Sequence, residues 1–180
     1  MEEFYFKDRP TRQRIEASAK GNSDIESDFV LAFLDFQWSY RKMQKQYDLL
    51  LEKYGLTESR FIILMFLQRA DDHQLLPSDI SEKLGASRPT VSKLLRGMEK
   101  NQLIERVPSH TDKRSFFVKL TKLGSKTLAD FLPSNFSSVK TIFSMLDSED
   151  IQTLNKLLTK IDTGTLKLKK EMENKNHANR

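Results

Sequence analysis

Residues 77–119 read PSDISEKLGASRPTVSKLLRGMEKNQLIERVPSHTDKRSFFVK, and local signals alone divide them into two short helices, a tight turn and two strands. Ile80 and Leu84 give the first helix a buried edge. Pro77 suits its opening turn, where a missing N–H costs nothing. Gly85 stands just past the last apolar position, where a left-handed cap residue is easiest, and Ser87 stands where an N-cap oxygen is wanted. Only Gly85, Ala86 and Ser87 separate the helices, the length expected of a helix-turn-helix. Pro89 is tolerable because it falls in a first turn. In the second helix Val91, Leu94, Leu95 and Met98 recur at i, i+3, i+4 and i+7, which makes one apolar stripe. Pro89, Lys93, Arg96 and Lys100 fall on the opposite face with Ser92 beside them. Such a helix packs with one side and offers cations and hydroxyls with the other, so its natural partner is anionic.

After this helix, Leu103–Val107 and Ser115–Leu120 are rich in strand formers, and Phe116, Val118 and Leu120 alternate with Phe117 and Lys119. The loop Pro108-Ser109-His110-Thr111-Asp112-Lys113 joins them as a hairpin. The stretch holds nine Lys/Arg against five Asp/Glu, so four of the chain's five net positive charges lie in under a quarter of its 180 residues. Together with a pI of about 9.3 this leans towards polyanions, although charge alone fits any solvated surface.

Working outward, Ser23-Asp24-Ile25-Glu26 fits a capping box opening a long helix that runs to about Tyr54 and ends at Gly55. Phe29, Phe33, Phe36, Tyr40, Met43, Tyr47, Leu50 and Tyr54 alternate steps of four and three along it, a 3.5-residue seam of helices packed side by side. Val30, Leu31, Leu34 and Trp38 make a second apolar face, for which a partner subunit is the economical cover. Thr57 caps a helix running to about Arg69, apolar without a break from Phe61 to Leu67 and so buried nearly all round. Residues 70–74 read as a polar loop; its Asp71, Asp72 and His73 are thin support for a metal site. Thr121 caps another helix, bent or broken near Pro133. Asp147 or Ser148 caps the last, which Gly164 weakens and which frays after about Lys170. Residues 1–22 read as a mobile arm.

The absence of cysteine excludes disulfides, thiolate metal sites and thiol-based redox sensing. There is no signal-peptide run, and nothing reaches the ~18 apolar residues of a membrane span, which points to the cytoplasm. No Gly-rich phosphate loop, GxSxG or HExxH motif is present, which argues against an enzyme. No cofactor is expected, and no metal site, since His73, His110 and His177 are scattered.

A helix-turn-helix followed by a basic two-stranded hairpin is a winged helix. With its flanking long helices the chain resembles the multiple-antibiotic-resistance regulator (MarR) family. The resemblance rests on Ser87-Arg88-Pro89-Thr90-Val91-Ser92, on Leu103-Ile104-Glu105-Arg106, and most specifically on Asp112-Lys113-Arg114 leading into Val118-Lys119-Leu120-Thr121. It covers about Leu56 to Leu132 at the level of motifs. The expected fold is mainly α with a small β-hairpin wing: an arm over 1–22, dimerisation helices at 23–55 and 121–170, a winged lobe at 56–120 and a polar tail at 171–180.

The resemblance implies a homodimer straddling a pseudo-palindromic duplex, and transcriptional regulation, usually repression relieved by a small ligand. The N-terminal part of a recognition helix reaches base edges in the major groove, which assigns Ser87, Arg88, Pro89, Thr90, Ser92 and Lys93 there. Arg88 is the candidate for a bidentate guanine contact, and Arg96 and Arg106 for phosphate clamps. In the wing, Arg114 suits a narrow minor groove, Asp112 holds it in place, and His110 and Lys113 complete the contact set. Trp38, Arg41, Phe61 and Met65 are candidates to line the family's ligand cleft, an apolar box with one cation suited to an aromatic carboxylate, so the expected effector is small and aromatic or lipophilic. Arg60 ahead of Phe61 disfavours urate, whose sensors carry an acidic residue there. The competing readings are a winged-helix protein-interaction module and a ligand-independent architectural DNA binder.

Overall fold

The computed structural model describes residues 9–18, 26–108 and 116–178. It divides into two compact units, Met1–Pro133 and Ser134–Arg180. In the first unit a short helix α1 (Arg12–Ser18) precedes the long helix α2 (Ser27–Glu52) and helix α3 (Glu58–Arg69). The arm expected to be mobile thus contains a helix. The capping box expected at Ser23 does not open α2: the N-cap position is Glu26, whose side chain makes no cap bond, and Ser23 lies outside the described residues. Gly55 does end the helix, with φ of 67° and the N–H of Leu56 donating to the Leu51 carbonyl at 3.0 Å. Thr57 caps α3 as its position demands, its side chain accepting from the Arg60 N–H.

Between α3 and the helix-turn-helix the sequence suggests only a polar loop. The chain instead makes one turn of 3-10 helix, Asp71–His73, and then a two-residue strand β1 (Gln74–Leu75). Helices α4 (Pro77–Leu84) and α5 (Arg88–Lys100) follow, then strands β2 (Ile104–Pro108) and β3 (Phe116–Leu120). The sheet is antiparallel in the order β1-β3-β2, with Leu75 opposite Val118 and a β2–β3 register running from Ile104↔Leu120 to Pro108↔Phe116. The expected strand pair therefore supplies the central strand β3 and one edge, β2, of a three-stranded sheet.

One core joins these elements. Ile63, Leu64 and Leu67 of α3, Ile80 of α4 and Val91 and Met98 of α5 are fully buried. They meet Val118 and Leu120 of β3 in the same cluster. Each such side chain contributes roughly 1.5–3 kcal/mol by leaving water.

Helix α6 (Lys122–Ile142) starts in this unit and continues past Pro133 into the second, so of the bend or break expected near Pro133 the break does not occur. Its start is fastened tightly. Thr121 Oγ1 accepts from the Gly124 N–H at 2.9 Å and donates to the Gln102 carbonyl at 2.6 Å. A Cβ on Gly124 would lie 2.1 Å from the Leu103 carbonyl oxygen, so only glycine fits. Leu128 and Phe131 of α6 are buried, and Phe131 takes the Tyr54 and Phe61 rings edge-on at 5.3 and 4.9 Å.

The second unit comprises the rest of α6 and helix α7 (Ser148–Ala178). Asp147 Oδ1 accepts from the N–H groups of Glu149 and Asp150, both at 2.8 Å, the cap its position suggests. The helix runs through Gly164 and beyond Lys170, where fraying is expected from the sequence. Phe136, Met145, Leu157, Ile161, Leu166 and Met172 are exposed along this unit.

Candidate nucleic-acid interface

The site is built around α5. Gly85, at φ of 63°, closes α4 with two backbone bonds, Ala86 N–H to Ser81 and Gly85 N–H to Glu82, both 3.1 Å. This pairing satisfies the helix's last carbonyls and turns the chain sharply. Ser87 then caps α5: its Oγ accepts from the Thr90 N–H at 3.4 Å and lies 2.8 Å from Thr90 Oγ1. The first turn therefore carries two mutually bonded hydroxyls, held at the N-terminus of an amphipathic helix.

Val91, Leu95 and Met98 are buried, while Ser87, Arg88, Pro89, Thr90, Ser92, Lys93 and Arg96 are all exposed. The sequence-derived groove set is thus brought together on one solvent face. Among the described residues, Arg88, Lys93 and Arg96 have no carboxylate partner. No carboxylate of the described residues neutralises their charge. A cationic surface on a rigid, core-anchored helix can bind a polyanion without first breaking an internal ion pair.

Arg106 is placed differently. Its Nε lies 3.1 Å from Glu99 Oε2, and its guanidinium stands 4.6 Å from the centre of the Phe116 ring. The expected phosphate clamp is already occupied in joining β2 to α5, a partner that spacing in the sequence does not disclose. Arg60 is a second residue the sequence reading assigned no place here. Its Nη2 sits 3.3 Å from the point a Cβ on Gly97 would occupy, so Gly97 lets Arg60 lie against the recognition helix. The wing residues His110, Asp112, Lys113 and Arg114 lie outside the described residues; the strands on either side are in register up to Pro108↔Phe116.

The proposed ligand quartet is dispersed in its contacts. Phe61 packs on Phe131, Met65 lies partly buried against the core, Arg41 is exposed, and Trp38 faces the guanidinium of Arg9 at 4.7 Å. None of the four lines the cleft of about 410 Å³ at the α2–α3 junction, where Tyr40, Gln44, Asp48, Glu52 and Glu58 gather instead. There Gln44 Nε2 donates to Asp48 and Glu58 at 3.0 and 3.3 Å. Burial, and then the Glu58 carboxylate, push the nearby Tyr47 hydroxyl above its usual pKa. His73 Nδ1 lies 3.1 Å from the Gln68 carbonyl.

Known proteins share this arrangement. The MarR family pattern matches residues 54–115, from just after α2 to just before β3. The HTH-type transcriptional regulator MgrA of Staphylococcus aureus is 34% identical over 110 residues, 61% of this chain and 72% of that protein. The HTH-type transcriptional repressor YetL of Bacillus subtilis is 28% identical over 149 residues, covering 83% of this chain and 89% of YetL. In three dimensions, S. aureus MepR in its complex with DNA superposes with a TM-score of 0.65 at 28% identity, covering 74% of this chain and 96% of MepR. A family match that runs through the capped turn and the cationic helix, with a relative 34% identical over 72% of its length, leaves one assignment: the chain belongs to the MarR family.

Proposed function

We propose that this protein is a sequence-specific double-stranded DNA-binding transcriptional regulator, acting as a homodimeric repressor released by a small ligand. The observation that carries the reading is the exposed N-terminal face of α5, whose Arg88, Lys93 and Arg96 have no internal carboxylate partner among the described residues. Arg88 reads a guanine edge, Pro89 or Thr90 meets a thymine methyl, Ser87, Ser92 and Lys93 lie in the same groove, and Arg96 meets a phosphate. Arg114 enters the adjoining minor groove, held by Asp112, with His110 and Lys113 beside it. Arg106 acts by fixing the wing to α5.

The winged lobe at 56–120 delivers these contacts, and the helices on either side dimerise. Phe29 and Phe33 on α2 are 70% and 59% exposed in the single chain, and Phe36 and Tyr40 continue the same seam. Apolar area of that extent needs a cover, and a second copy supplies it. Two lobes related by a twofold then read half-sites ~10 bp apart, centre to centre. No helix among the described residues is long and apolar enough to cross a membrane, and we place the protein in the cytoplasm as a regulator rather than an enzyme. A winged-helix protein-interaction module has no need of three exposed cations on α5.

Selection of sites from a random duplex pool, followed by affinity measurements over a salt series, tests the reading. Binding falls steeply as salt rises, because each phosphate neutralised releases counterions. Failure to bind any duplex, or affinity indifferent to salt, overturns it.

A further inference from the structure

Asp28, Asp35 and Trp38 share one face of α2 by their spacing, and α1 runs antiparallel along that face. Ser27 Oγ donates to Glu16 at 3.4 Å, Arg12 is ion-paired with Asp28, and Arg9 Nη1 reaches Asp35 Oδ1 at 3.1 Å. The Arg9 guanidinium also lies over the Trp38 ring, 4.7 Å from its centre. On the side of α2 where the sequence suggested a second subunit as cover, the chain's own N-terminal segment lies against Ser27, Asp28, Asp35 and Trp38. A cation held by a carboxylate and by the face of an indole is the arrangement by which proteins recognise guanidinium and quaternary ammonium groups.

We propose that Trp38 and Asp35 form an organic-cation site which Arg9 fills as an internal ligand, so that residues 9–18 are a strap displaced by small guanidinium or quaternary ammonium compounds. The side chains of Arg9 and Asp35 are 56% and 59% exposed, so the strap is held by contacts that salt screens and a competing cation can replace. The charge of the site is opposite to that expected for an effector at Trp38: Asp35 repels an aromatic carboxylate and attracts a cation. The strap closes over α2 and not over α5, so the site does not rest on DNA binding.

Trp38 is the only tryptophan in the sequence, so its emission reports on this site alone and needs no DNA. The full-length protein is titrated with tetraethylammonium chloride, with sodium chloride at matched ionic strength as the reference. Removing the internal competitor by Arg9→Ala lowers the tetraethylammonium midpoint about fivefold, the factor expected for one exposed cation–π contact. Arg9→Lys, which keeps the charge, gives a midpoint between the two. Adding Asp35→Asn to Arg9→Ala raises the midpoint again. Equal midpoints for the unsubstituted and Arg9→Ala proteins, or an identical response to both salts, overturn the proposal. Duplex binding by the same variants is measured separately, so a failed cation site and a failed regulator give different results.

Discussion

Arg106 and Glu99 fasten the wing to the recognition helix: the guanidinium Nε sits 3.1 Å from the carboxylate Oε2, across the gap between β2 and the last turn of α5. Because the same guanidinium stacks on Phe116, one side chain ties together β2, β3 and α5. Arg106→Ala therefore weakens operator binding by loosening the wing and leaves the salt dependence of binding unchanged. The pair is about two-fifths exposed, so the loss of fold stability is only about 1 kcal/mol. Anisotropy titrations at several salt concentrations check this, and a slope reduced by about one would mean that Arg106 neutralises a phosphate after all.

The exposed cations of α5 fail differently from one another. Arg88→Ala relaxes sequence preference at one base pair by roughly 1–3 kcal/mol, whereas Arg96→Ala weakens all duplexes alike and lowers the salt slope by about one. Arg114→Ala weakens binding without altering the major-groove preference. Competition between the selected site and its single-base variants distinguishes these outcomes.

Two glycines in helices respond oppositely to alanine. At Gly124 the new Cβ meets the Leu103 carbonyl, and the backbone shift it forces costs about 1–3 kcal/mol. At Gly164 a Cβ meets nothing within 4 Å, and the gain in helix propensity approaches ~1 kcal/mol. Urea unfolding at one fixed protein concentration compares them, since dimer stability varies with concentration.

The aromatic seam of α2 is tested by Phe33→Asp. Phe33 is exposed in the single chain, so the charge costs the monomer's fold little, but it places a carboxylate in the expected subunit contact. Sedimentation velocity shows a monomer at micromolar concentration, and operator affinity falls with the loss of the second lobe. A dimer that persists unchanged excludes this seam from the interface.

What the sequence disclosed follows the range of the forces involved. Gly85, Ser87 and Thr57 announce their roles because a cap is satisfied within three or four residues of chain. The stripe of α5 is legible for the same reason, since its period is local. Strand β1 escaped notice because two residues carry no period; Gln74 and Leu75 are a strand only because Lys119 and Val118 stand opposite. Helix α1 was hidden likewise, being polar, seven residues long and held by side chains on α2. The ligand quartet was chosen by residue type, which does not say that Phe61 would turn to Phe131 and Trp38 to Arg9. Glu99 was absent from the sequence-derived site because its partner lies on a different element.

The glycine at position 124 has a mechanical consequence. With no side chain there, the first turn of α6 beds directly on the strand root at Leu103, while Thr121 bridges to Gln102 and its N–H reaches the Leu103 oxygen at 3.2 Å. The foot of the hairpin and the head of the helix that leaves this unit are one rigid elbow. Any tilt imposed on α6 has no slack to take up at that joint, and swings both strands together with it.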